Sequence, residues 1–119
     1  MTDIVSLTIL AEQQLTAARA ASSGRAAHTV HGGRDSALRQ SVLALVAGQA
    51  LGEHESPGEA TLQVLTGRVN LSAGTEHWQA GAGDYLHIPP VRHDLAAIED
   101  SVVLLSVVTH ADRPAAGLW

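Results

Sequence analysis

Residues 48–93 read GQALGEHESPGEATLQVLTGRVNLSAGTEHWQAGAGDYLHIPPVRH. Short apolar or alternating runs in this stretch are cut by Ser56-Pro57-Gly58, Gly67, Ala73-Gly74, Gly81 to Gly83 and Pro89-Pro90. Glycine reaches backbone conformations other residues avoid, and proline removes a ladder donor, so both punctuate strands. The runs between them predict strands over 50–54, 61–65, 68–71, 77–79 and 85–88. Many short strands at regular spacing point to an antiparallel sandwich or barrel.

The same texture continues on both sides. Upstream, runs at 27–30 and 37–46 flank Gly32-Gly33, and downstream, 94–97 and 101–108 flank Glu99-Asp100. The run 101–108 is almost wholly apolar, the mark of a strand buried on both faces, either in the core or between subunits. Before the first strand the period changes. Leu7, Leu10, Ala11, Leu15 and Ala18 recur at helical spacing, with Ser6 as cap and Ser22-Ser23-Gly24 as stop. That single apolar stripe must lie on the barrel wall or on a partner subunit. The chain therefore divides into a helix (1–24), a barrel (25–110) and a tail (111–119) in which Trp119 is free to dock. Leu43, Leu45, Leu51, Leu62, Val64, Leu86, Ile88, Leu95 and Leu105 are the expected interior residues, an aliphatic set. With no Phe, one Tyr and two Trp, stacking on a flat aromatic ligand has little support.

Composition excludes several classes of function. There is no Cys, hence no disulfide framework and no thiolate ligand. All seven positive residues are Arg, which removes lysine Schiff-base and P-loop chemistry. The net charge of −5 and scattered arginines argue against a nucleic-acid partner, which needs a basic stripe. No run approaches the roughly 20 apolar residues of a membrane span, and no signal peptide is visible, so a cytoplasmic protein is expected. No nucleophile elbow, helical zinc motif or phosphate cradle is present.

Residues 48–93 resemble the cupin family. Its first motif has the form Gly-x5-His-x-His-x3–4-Glu-x6-Gly. Gly48, His54 and Gly67 match it, whereas Ser56 stands at the second His position and Ala60 at the carboxylate position, with Glu59 beside it. The hairpin from Leu62 to Val69, with its Val64-Leu65 and Gly67, has the look of small bacterial cupins. The second motif, Gly-x5-Pro-x-Gly-x2-His-x3-Asn, is met by Gly83 and Pro89; Val91 replaces the glycine, His93 comes one residue early, and Ala97 stands near the Asn position. The resemblance implies an all-β, jelly-roll-like antiparallel β-barrel with one N-terminal α-helix, and a homodimer.

The resemblance also implies a cavity with three His and one Glu or Gln around a divalent transition metal, Fe, Mn, Zn or Ni. Here the candidate ligands are His54, His93 and Glu59, a two-His-one-carboxylate set if the 56–58 loop shifts the strand phase. Without that shift Glu59 is a solvated loop residue and Gln63 faces outward; with it, both face in. His87 alternates with Tyr85, and with Gln63 these complete the candidate ligand cavity. His28 and His31 are expected on opposite faces of a strand; they, His77 and His110 are expected to be structural. A barrel of this size holds one small ligand. Three readings stand: a small-molecule-binding barrel with a weak or lost metal; a metal-dependent oxygenase, isomerase or lyase; and a structural or regulatory dimer without ligand.

Overall fold

The structure is a computed structural model describing residues 3–56 and 58–109. Helix α1 (Leu7–Ala20) is followed by β1 (Arg25–His31), β2 (Leu38–Leu45), β3 (Glu59–Thr66), β4 (Arg68–Ala73), β5 (Glu76–Gly81), β6 (Tyr85–His87), β7 (Asp94–Ala97) and β8 (Ser101–Val108). They form a five-stranded sheet in the order β1-β2-β8-β3-β6 and a three-stranded sheet in the order β5-β4-β7. Every strand pairing is antiparallel. The result is a jelly-roll-like all-β barrel, with β6 and β5 as neighbouring sheet edges rather than a bonded pair among the described strands. The tail with Trp119 lies outside the described residues.

The expected runs reappear as strands with one exception. Residues 50–54 make only two antiparallel pairings, Ala50 with Ala96 and His54 with His93. Gly52 explains the break: its φ is +94°, and its N–H donates to Asp94 Oδ1 (2.9 Å) instead of to a ladder carbonyl. The segment still runs beside β7 as an irregular fourth member of the smaller sheet. The run 101–108 resolves to the core alternative, because β8 is central, between β2 and β3.

Alternation decides the core. Along β3, Ala60, Leu62 and Val64 are buried whereas Glu59 and Gln63 are exposed. The inner face joins Leu43, Leu45, Leu62, Val64, Leu105 and Val107 to Val69, Leu71 and Leu95 of the facing sheet, with Leu51 and Leu86 packed against them. Each fully buried Leu of this set contributes about 1.5–3 kcal/mol of transfer free energy. The outer face of the large sheet carries a second cluster. Val42, Ala44 and Val102 receive Leu10, Ala11, Leu15 and Ala18 of α1. The apolar stripe of the helix thus covers the barrel wall. Ser6 Oγ accepts from the Ile9 N–H (3.2 Å), and the helix ends at Ala21 before Gly24, which takes φ +67°.

Candidate functional site

His54 and His93 face each other at one end of the sandwich. The His54 N–H donates to the His93 carbonyl (2.8 Å) and the His93 N–H to the His54 carbonyl (3.0 Å). Residues directly opposite in such a pair project side chains to the same face, with Cβ atoms about 5 Å apart. That face is the interior: Leu95, two residues from His93, belongs to the inner core, and His93 is 1% exposed. Both rings are held by a backbone contact. His54 Nδ1 lies 2.9 Å from the Glu55 carbonyl and His93 Nδ1 2.8 Å from the Val91 carbonyl. A carbonyl only accepts, so each Nδ1 donates to it, and the contact fixes the orientation of each ring.

The outer side of this pairing is stapled by charge. Arg92 donates to Glu53 Oε2 (2.8 Å) and Glu55 Oε1 (3.0 Å), so the residues flanking His54 clamp the residue preceding His93. The hydrogen bonds it donates to Glu53 and then to Glu55 raise the Arg92 pKa. All three side chains are exposed, and such pairs contribute about 0–1 kcal/mol each. They hold register more than they add stability.

Glu59 does not join the histidines. Its place on β3 puts it in the phase opposite Ala60, Leu62 and Val64, so it is exposed while Ala60 takes the inward place. Glycine at 58 adopts φ +142°, yet this does not turn Glu59 inward. Ser56, at the second His position, donates to the Gly58 carbonyl (2.9 Å). Among the described residues no group of three or more His, Cys, Asp or Glu can hold a metal ion. The donors therefore do not fit the divalent metal implied by the resemblance: two imidazoles face the interior without a carboxylate.

The remaining candidates sit on the other side of the barrel. Gln63 pairs with Tyr85 and Thr61 with His87, on the face opposite Leu62 and Leu86. Gln63 is exposed there, and Tyr85 is 66% exposed. Tyr85 and His87 line a cleft of about 480 Å³ between the β5 and β6 edges, with Leu71, Trp78 and Pro89. His87 also borders an opening of about 440 Å³ with Ser56, Gly58, Glu59 and Pro90. His28 and His31 are opposite Val42 and Gln40, because the ladder slips between Thr29 and His31. The slip places them on one face, against the simple alternation expected for them. His28, His31 and His77 are exposed, and His110 lies outside the described residues.

Two interior polar residues escape a search for ligand motifs. Arg39 and Ser41 share the parity of Leu43 and Leu45 on β2, so they face inward. Arg39 is opposite Val107 and Ser41 opposite Leu105, both inner-core residues. The readable signal was the polar end of an alternating run, Arg39-x-Ser41-x-Leu43-x-Leu45, within the predicted strand.

Comparison with known proteins agrees with this geometry. The model of the cupin domain matches residues 41–109, more than half of the chain. A conserved Streptococcus pyogenes protein of unknown function is 27% identical over 76% of this chain and 78% of its own, with a TM-score of 0.67. A Cupin 2 conserved barrel domain protein from Salinispora arenicola is 19% identical over 93% of this chain and 91% of its own (TM-score 0.64). A salicylate 1,2-dioxygenase variant from Pseudoaminobacter salicylatoxidans aligns at 18% identity over 87% of this chain but 34% of its own (TM-score 0.73). No curated protein sequence matches. No helix among the described residues is long and apolar enough to cross a membrane. The matched segment runs from Ser41 to Thr109 and carries the inner rows of β2, β3 and β8 together with the His54–His93 pair, so the chain belongs to the cupin family.

Proposed function

We propose that the chain is a small-molecule-binding cupin barrel whose site is built on His54 and His93 and works without a resident metal. The observation that supports it is the cross-strand histidine pair. Both rings are fixed by Nδ1 contacts to backbone carbonyls, while the carboxylate position is filled by Ala60, buried in the aliphatic core. Two fixed imidazoles beside an aliphatic wall suit hydrogen bonding to a small ligand better than holding iron, manganese, zinc or nickel. The ligand enters through the opening lined by Ser56, Glu59 and His87. The protein acts in the cytoplasm as a homodimer, with the free edges of β1, β5 and β6 as natural places for a second copy. Light scattering coupled to size exclusion reads the dimer directly, and a monomer contradicts it.

Elemental analysis of untagged protein purified without chelators, beside His54→Ala, tests the metal-free site. Transition metal well below one equivalent, equal in both proteins, is expected. Near-stoichiometric metal that disappears in His54→Ala would return the protein to the metal-dependent enzymes of its family.

A further inference from the structure

Resting on the reading of the interior as a ligand site, we propose that the ligand is a small aliphatic carboxylate whose anionic end is held by Arg39 and Ser41. Ser41 is 1% exposed, and its Oγ has no hydrogen-bond partner. Arg39 Nε is likewise out of contact with solvent and without a partner. The ion pairs among the described residues engage Arg19 and Arg92 instead. Buried donors are almost always satisfied, so two neighbouring exceptions on one strand face identify a place where something else accepts. A guanidinium offers only donors, in a planar fork that matches a carboxylate, and a hydroxyl beside it adds one more.

The surroundings set the rest of the ligand. Arg39, Val107 and Ala60 form one row across β2, β8 and β3, and Ile88 joins it through its N–H to the Ala60 carbonyl (2.9 Å). Ser41, Leu105 and Leu62 form the next row. Five residues lie between His54 and Ala60, and the proposal places these rows and the histidine pair at the same end of the barrel. The floor beside the two donors is therefore aliphatic, which favours a short alkyl body over an aromatic or a sugar. Room for the arginine is built in. A Cβ at Gly32 (φ +113°) would lie 3.0 Å from Arg39 Cγ and 2.9 Å from the Leu38 carbonyl oxygen, so a side chain there would press on the arginine stem.

The test is titration of ¹⁵N-labelled full-length protein with propanoate and butanoate, and with butanamide as the neutral counterpart. The Arg39 Nε–H signal is identified by its loss in Arg39→Gln. The carboxylates are expected to shift that signal saturably and butanamide to leave it in place. Arg39→Gln is expected to weaken butanoate binding about tenfold or more, as for loss of one charge-assisted hydrogen bond. Ser41→Ala removes a single oxygen and serves if Arg39→Gln does not fold; it is expected to weaken butanoate binding severalfold. Undiminished butanoate binding by either variant, or a static Arg39 signal in the presence of carboxylate, overturns the proposal. If butanamide moves the His54 ring signals and carboxylates do not, the anion assignment falls and interior binding stands. If neither class of probe moves the interior signals, both readings fall.

Discussion

Ser101 shows how much one buried hydroxyl holds in this fold. Its Oγ accepts from the Arg68 N–H (3.0 Å) and lies 3.0 Å from the Arg68 carbonyl and 2.7 Å from the Glu99 carbonyl, joining the start of β8 to the start of β4. Ser101→Ala takes the part-buried Arg68 N–H from its acceptor and should lower stability by about 1–3 kcal/mol in urea titration. Gly67, in the same corner, takes φ +82°, and a Cβ there would strike the Asp100 carbonyl and Ser101 Oγ. Gly67→Ala should therefore cost more than about 2 kcal/mol by the same measurement; an unchanged midpoint would contradict the packing described for this turn. At this scale the sequence was legible where residues must pack. Leu62, Val64, Leu95 and Leu105 lie in the core where the alternation put them. It was illegible where one step of strand phase decides, as at Glu59 and Gln63, because Pro57-Gly58 can feed β3 in either register.

Among the elements, α1 depends on one carboxylate as well as on its apolar stripe. Asp100 accepts from Arg19 Nε (2.9 Å) on the helix and from the Ala47 N–H (2.8 Å) after β2. The Ala47 N–H, and then Arg19, hold its pKa below the ordinary 3.8. A lowered carboxylate pKa gives stability that is present above the ordinary value and is lost as pH falls through the folded value. The wild type should therefore lose stability relative to Asp100→Asn as pH drops below 3.8, and the two urea midpoints should converge; a gap that persists or widens in acid would contradict this. The helix itself was readable to within a residue, since its stripe, cap and stop are all local signals. The irregular 50–54 segment was not, because its break comes from a distant bond between Gly52 and Asp94. The slip that brings His28 and His31 to one face likewise depends on the pairing with β2.

For the molecule as a whole, glycine and proline spacing indicated the two-sheet barrel, and family motifs indicated its scaffold. The site was legible only in part. His54 and His93 were picked out by the family motifs they match, whereas Arg39 and Ser41 stand outside any motif and acquire meaning from facing inward. The proposed site at the histidine pair has a rival in the cleft with Trp78 and Tyr85 between the sheet edges. Truncating the interior wall with Leu105→Ala should lower stability by about 2–5 kcal/mol in urea titration; a cost near zero would mean that this wall is not packed as described. The most direct test of the account is a nuclear magnetic resonance screen of small aliphatic acids, amides and alcohols that follows the rings of His54 and His93 together with the Trp78 indole N–H. The account predicts that binders move the histidine signals, leave the indole in place and lose their effect in His54→Ala; responses confined to Trp78 and Tyr85, or a screen without binders, would contradict it.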